Sequence, residues 1–348
     1  PSVDVIPSEN FNTVLYTGNG ADNHAISGVG FQPDFVWMKS RSASRSNALV
    51  DSVRGRGSIL FSDGTNAQQA PAAANNDLVS FDTDGFTVGT PERAGSTNTN
   101  NDTIVAWNWK AGGSASSNSN GSITSSVSAN AAAGFSILTY TGTGVLAATI
   151  GHGLSSAPEM IIRKDRDTAV NWVAYHASMG TGNGNLALFL NTTSAQDGGQ
   201  GFMNNTAPTS TVFTQGSQVF VSVNGRDYIS YCFHSVDGYS KVGSYTGNGS
   251  ADGPFVHCGF KPAFVMIKRT DNVSSWSILD SARDPFNSVE AALYADNTTV
   301  ENDEPSLGRD YLSNGFKLTG TYSGINASGG TYIFLAFAET PFKFSNAR

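Results

Sequence analysis

One unit is written three times along this 348-residue chain, and that repetition limits the possible folds more than any other feature. Tyr16-Thr-Gly-Asn-Gly20 returns as Tyr140-Thr-Gly-Thr-Gly144 and as Tyr245-Thr-Gly-Asn-Gly249. Each is followed by a proline and an apolar run: Pro33-Asp-Phe-Val-Trp-Met-Lys39, Pro158-Glu-Met-Ile-Ile-Arg-Lys164 and Pro262-Ala-Phe-Val-Met-Ile-Lys268. The tyrosine-to-proline separations are 17, 18 and 17 residues. Each unit closes on an aromatic run, and the opening tyrosine lies 91, 91 and 90 residues before Trp107, Tyr231 and Leu335. Smaller elements recur too. Asp84-Gly-Phe-Thr-Val88 matches Asn314-Gly-Phe-Lys-Leu318, and Leu49-Val-Asp-Ser-Val-Arg54 matches Ile278-Leu-Asp-Ser-Ala-Arg283. The second copy carries Val173-Ala-Tyr-His-Ala-Ser178 at that place and has diverged.

Successive copies begin 124 and 105 residues apart, a domain length rather than the 20–50 residues of a solenoid. The spacing predicts three tandem domains, each with its own core: residues 1–113, 134–237 and 238–348, with 114–133 as a linker. Gly112-Gly-Ser-Ala-Ser-Ser-Asn-Ser-Asn-Gly121 has the composition of a flexible connection. Asp237-Gly-Tyr-Ser240 runs straight into the third unit, so copies two and three are expected to pack rigidly and copy one to have more slack.

Within a strand, side chains alternate between faces. Val105, Trp107 and Trp109 therefore share a face, as do Ile229, Tyr231 and Phe233, and Ile333, Leu335 and Phe337. The opposite face is small or polar in two copies (Ala106 and Asn108; Ser230 and Cys232) and carries Phe334 in the third. One core face and one lightly covered face predict antiparallel sandwiches of a jelly-roll or lectin-like kind, all-β, with Phe334 marking a second covered face in copy three. Gly-Asn-Gly, Asp-Gly and Asn-Gly turns fit that class, and no stretch holds a helical period for three turns.

Composition narrows the function. The formal net charge is −8 and no basic run exists beyond Lys39-Ser-Arg41 with Arg45 nearby, read as a solvated strand end. Nucleic acid and anionic membranes are thus poor partners, and no apolar run is long enough to span a bilayer. The chain opens on Pro1 with no signal peptide, as after initiator-Met removal or in a processed piece. Cys232 and Cys258 are too few for a disulfide framework or a zinc site, and two reduced, half-buried thiols are expected.

No catalytic constellation stands out. There is no nucleophile elbow and no metal-binding histidine pair. Of the five histidines, His24, His152, His176, His234 and His257, those in the loops after the tyrosine motif (His24, His152 and His257) are read as polar surface. Asp51 and Asp280 are repeat-equivalent carboxylates, each followed three residues on by Arg54 or Arg283. They could line a polar pocket, but a local Asp–Arg pair closing a turn is the favoured reading, since an adjacent guanidinium keeps a carboxylate ionised and unfit as a general acid. Glu301, Asp303 and Glu304 read as a solvated acidic loop. The repeated glycines lack a phosphate-binding lysine, and Asp22, Asp82, Asp84 and Asp252 lack a calcium loop. No cofactor, metal or catalytic residue is expected. Trp172, Tyr175, Trp276, Tyr294, Tyr311 and Tyr322 lie in polar contexts. They are candidates for stacking on sugar rings, against the plainer reading that each fills the core of its own domain.

The repeated motif, with Asp84-Gly-Phe-Thr-Val-Gly89, Val105-Ala-Trp-Asn-Trp-Lys-Ala-Gly-Gly113, Thr331-Tyr-Ile-Phe-Leu-Ala-Phe-Ala-Glu-Thr-Pro-Phe-Lys343 and the final Asn346-Ala-Arg348, resembles a family of uncharacterised virion proteins of tailed bacteriophages. Those of marine phages infecting cyanobacteria and proteobacteria are especially similar. The resemblance runs from about Asn12 onward. It implies a location on the phage particle surface, other virion proteins as partners, and a β-sandwich of unknown function; it supplies no catalytic residues. Two classes of function are open. One is a tail fibre or tip adhesin binding a host-surface glycan or protein; the other is a non-enzymatic capsid or tail decoration protein that stabilises the particle. A glycan depolymerase ranks third. A homo-oligomer, with a trimer favoured, is expected in either case.

Overall fold

The computed structural model describes residues 5–70, 73–180, 184–198 and 201–339. Pro1 and the end of the resemblance from Thr340 onward lie outside the described residues. The chain is all-β: among the described residues every strand ladder is antiparallel, and the two α-helices, Gly95–Asn98 and Ser323–Asn326, are single turns.

The three copies build the same large sheet. In each, the opening strand (Phe11–Thr17, Phe135–Thr141, Ser240–Thr246) pairs with the closing strand (Thr103–Trp109, Asp227–Phe233, Thr331–Ala338). The closing strand pairs next with the strand after the repeated proline (Phe35–Ser40, Met160–Asp165, Pro262–Arg269). A fourth strand follows (Ala48–Asp51, Val173–His176, Ser277–Asp280). Gly20, Gly144 and Gly249, which end the Tyr-Thr-Gly motif, have φ of +68°, +68° and +72°. That left-handed turn strains any residue with a Cβ, which is why glycine recurs there.

The closing strands bury the faces that alternation predicts, but not in three separate cores. Val105, Trp107, Trp109, Ile229, Tyr231, Phe233, Ile333, Leu335 and Phe337 all enter one apolar cluster. Phe11, Trp109, Phe264 and Phe337 interlock there with ring centroids 4.8–6.1 Å apart. Each such aromatic pair adds about 0.5–1.5 kcal/mol beyond its area burial. Each copy keeps its own core between its large sheet and its outer sheet, and a further core shared by all three, which the repeat did not announce, lies where the large sheets turn their inner faces toward each other.

The outer faces are covered as well. A smaller sheet (His24–Ser27, Gly85–Val88, Leu78–Asp82) supplies Ile26, Phe86, Val88 and Leu78 against Val36, Met38 and Ala106. Phe255–His257, Gly315–Leu318 and Arg309–Leu312 do the same for the third copy, burying Phe334 as predicted. In the second copy the outer sheet has two described strands, Thr149–Gly151 and Val212–Thr214, and buries Cys232. Ala106 and Asn108 are fully buried, so the lightly covered face expected for copies one and two is a buried one.

The segment 114–133, expected as a linker, holds two strands. Ser125–Asn130 pairs with the opening strand of copy two, and Ser116–Asn118 pairs outside it. Ser116–Asn118 is the solvated edge, which needs little burial, so its Ser and Asn gave no sign of it, while Ser125–Asn130 lies inside the sheet and buries Val127. Copy one is also not the slack member, as its contacts with both other copies show below.

Candidate functional site

The copies meet at three seams built from repeat-equivalent positions. At the first level a main-chain bond crosses each seam: Glu301 N to Arg41 O (2.8 Å), Gln68 N to Arg166 O (2.7 Å) and Gln196 N to Thr270 O (2.8 Å). At the second, Asn47 Nδ2 donates to Tyr294 O (3.1 Å), Trp172 Nε1 to Phe61 O (2.7 Å) and Trp276 Nε1 to Phe189 O (3.0 Å). At the third, Trp107 Nε1 donates to Asp280 Oδ2 (3.0 Å) and Tyr231 OH to Asp51 Oδ2 (2.8 Å), while His176 Nε2 lies 3.5 Å from Phe334 O. The side-chain contacts run from copy one to copy three, from copy two to copy one and, through Trp276, from copy three to copy two, while the main-chain N–H groups of the first level donate in the opposite sense. The contacts close a ring.

The sequence-predicted residues fall into this ring. Asp51 and Asp280 are fully buried, bonded to Arg54 Nε (2.5 Å) and Arg283 Nε (2.6 Å), so the local Asp–Arg pair is what the structure contains. Each pair is also the anchor for an aromatic donor from another copy, which no local motif announces. Glu301 is not a solvated acid. It takes a two-pronged bond from Arg41 (2.9 and 2.7 Å) and a third from Arg283 Nη1 (2.9 Å). Burial alone would raise its pKa, but the two guanidinium groups outweigh that and hold the carboxyl below its usual range. Asp303 is exposed, and Glu304 caps the turn through Ser306 N. The supposed solvated strand end is half wrong as well: Lys39 is fully buried, and Arg41 belongs to the seam.

The candidate sugar-stacking aromatics are mostly core. Trp172, Trp276, Tyr175 and Tyr311 are buried, Tyr294 is half-buried, and Tyr322 alone is well exposed. His152, His176 and His234 are buried rather than surface residues; burial lowers the pKa of His152 and His176 to about 4. His24 contacts Asn98 Oδ1 (3.0 Å), and His257 is exposed. Cys232 and Cys258 are free, and both are buried rather than half-buried, which pushes each thiol up to about 12. The four aspartates weighed for calcium are engaged separately. Asp22 accepts from Thr90 and Asn75, Asp82 from Thr87, Asp84 from the Gly28 and Gly30 N–H groups, and Asp252 from Lys317.

Space for a ligand lies outside the ring's interior. The void at the centre of the shared core, lined by Phe35, Trp109, Tyr231 and Leu335 among others, is about 10 Å³. That is at the limit for one water. An open groove of about 870 Å³ runs where copy one meets the start of copy two. Its polar wall includes Asn10, Gln32, Asp34, Ser52, Lys110 and Asn130. Asp34 is held in place by Ser52 Oγ (2.8 Å), Ala111 N (2.8 Å) and Gly113 N (3.2 Å), and Asn130 Nδ2 donates to Asn10 Oδ1 (2.7 Å). The segment read as a linker thus forms one bank of the groove. Carboxamides, a fixed carboxylate and the exposed Lys110 give it donors and acceptors but no nucleophile–base pair.

The chain belongs to the family described as a domain of unknown function, DUF7483, whose profile matches residues 6–341. One profile therefore spans all three copies. No curated protein and no solved structure matches the chain.

Proposed function

We propose that this chain is a binding protein of the phage particle surface, acting without catalysis, and that host-surface glycan is its ligand class. The observation that carries the reading is the open groove, whose wall offers neutral carboxamides, one fixed carboxylate and one lysine. Such a surface matches hydroxyl-rich ligands better than phosphate backbones, which need clustered cations. The resemblance to virion proteins supplies the particle and its other proteins as the setting.

We read each large sheet with its outer sheet as one β-sandwich domain, so that the chain is three sandwiches closed into a ring. This arrangement favours a second reading, a decoration protein. A chain with three equivalent seams can sit singly on a threefold position of a capsid or tail, meeting each lattice subunit with one copy. The threefold element then lies within one chain, in place of a homotrimer.

Adsorption separates the two. The adhesin reading expects purified protein to bind host cells and to block phage attachment, with Asn130→Ala and Lys110→Ala together weakening both. Protein that does neither, yet rebinds stripped particles and restores their stability, moves the assignment to decoration. Cleavage of host polysaccharide by the purified protein would establish the depolymerase instead.

A further inference from the structure

Three repeat-equivalent lysines, Lys39, Lys164 and Lys268, are fully buried, and none of them forms an ion pair among the described residues. Lys164 Nζ rests on the carbonyls of Asp165 (2.7 Å) and Thr168 (3.0 Å). Lys268 Nζ rests on those of Thr193 (2.9 Å) and Ser274. Lys39 is different. Its Nζ lies 2.7 Å from Oδ1 of Asn47, itself fully buried, and 2.8 Å from Asn297 O. The matching residues beside the other two lysines are Trp172 and Trp276, so only copy one sets a buried amine against a buried carboxamide.

We propose that Lys39 and Asn47 are a site of intramolecular cross-linking, joined by an isopeptide bond between Nζ and Cγ. The amine adds to Asn47 Cγ, the C–Nδ2 bond breaks, and the nitrogen leaves as ammonia. One amide replaces another, so no oxidant or reductant is needed. The proton surrendered by the amine is returned to the departing nitrogen.

Position supports each part of this step. Lys39 Nζ lies 2.7 Å from Asn47 Oδ1, one bond from Cγ, and Asn297 O accepts from both Lys39 Nζ (2.8 Å) and Asn47 Nδ2 (3.3 Å). The carboxamide cannot swing away, because Nδ2 is also held by Ser62 Oγ (3.2 Å), Tyr294 O and Ala295 O (3.0 Å). Holding the reactants in this way substitutes for a bimolecular encounter. Burial lowers the Lys39 pKa to about 8, which leaves a useful fraction as free amine near neutral pH. Asp63 interacts electrostatically with Lys39 and is the acid we assign to carry the proton. Its Oδ1 accepts from the main-chain N–H of Asn47 (2.7 Å), and burial raises its pKa toward the protonated form. After reaction, the new amide nitrogen retains Asn297 O while the leaving nitrogen gives it up. A buried charge with no direct ion pair, influenced only at longer range by Asp63 and Asp296, becomes a neutral link.

Mass spectrometry of the purified full chain tests this. The expected result is an intact mass short of the sequence mass by one ammonia in most molecules, and a branched tryptic peptide joining Lys39 to Asn47. Lys39→Arg and Asn47→Ala should each restore the full mass, and Asp63→Asn should slow the loss at least tenfold. A folded wild-type chain at its full sequence mass overturns the proposal. So does an ammonia deficit that maps to a succinimide at an Asn-Gly site rather than to the branched peptide. The wild-type measurement decides even where a variant fails to fold.

Discussion

The seam between copies one and three and the seam between copies two and three use the same positions with opposite chemistry. In the first, Asp280 is neutralised by Arg283, receives Trp107 Nε1, and stands near Glu301, which ties Arg283 to Arg41. In the second, the equivalent of Asp280 is His176, buried and uncharged, and the equivalent of Trp107 is Leu335. The fold therefore needs a filled position there, not a particular charge state. A charged seam is specific because each ion depends on its partner; a neutral one is tolerant but can be disturbed by a proton.

The largest effect should come from breaking the charged seam. Asp280→Ala leaves Arg283 buried beside Glu301 alone and Trp107 without its acceptor, and should cost about 3–5 kcal/mol in urea unfolding. If Asp280→Ala cost less than His176→Ala, the ranking of the two seams would be reversed.

Acid should reverse the weakness. With folded pKa values near 4, below the ordinary 6.5, His176 and His152 are neutral in the fold and take up protons on unfolding. Their contribution is intact above pH 6.5 and is lost as pH falls toward 4, by roughly 3 kcal/mol for each histidine. His176→Gln should flatten the stability profile between pH 6.5 and 4, and an unchanged slope would remove His176 as a cause.

Alkali should act in the opposite direction through Lys164 and Lys268. Burial lowers both to about 8, so their penalty is fully present below pH 8 and is relieved as pH rises toward the unfolded value. Each lysine should add about 1–2 kcal/mol between pH 8 and 9.5, opposed in part by the buried thiols of Cys232 and Cys258, which resist ionising in the fold. Above pH 10 the gain should fade, because buried tyrosines such as Tyr16 and Tyr239 have raised pKa values and resist ionising in the fold. Lys164→Met should reduce the rise seen in a pH series of melting curves.

The smallest effect belongs to the seam's outer rim. Glu301→Gln keeps the main-chain bond to Arg41 O but loses the charge shared by Arg41 and Arg283. A loss of about 1–2 kcal/mol is expected, and the salt dependence of unfolding should weaken in the same variant. An identical salt dependence would show that the rim carries no electrostatic share of the seam.

The sequence by itself determined the three copies, the strands, the turn glycines and which side chains share a face of each closing strand. Val105, Trp107 and Trp109 alternate with Ile104 and Ala106, and that period identifies strand and face wherever the chain goes. The local Asp51–Arg54 and Asp280–Arg283 pairs were legible for the same reason, since both partners lie within one turn.

Only the tertiary structure decided what those faces meet. Alternation says that Trp107, Tyr231 and Leu335 are buried, but burial against the same copy and burial against another leave the same pattern in the sequence. Hence the three expected cores were joined by a fourth, shared interior, and Trp172 and Trp276, read as core residues of their own domains or as sugar-stacking surfaces, are donors across seams. Glu301 lies 260 residues from Arg41, and no local signal links them. The groove wall was hidden for a related reason. Residues 114–133 have a linker's composition, and a partly solvated edge strand can have the same composition when its main chain finds a sheet to pair with.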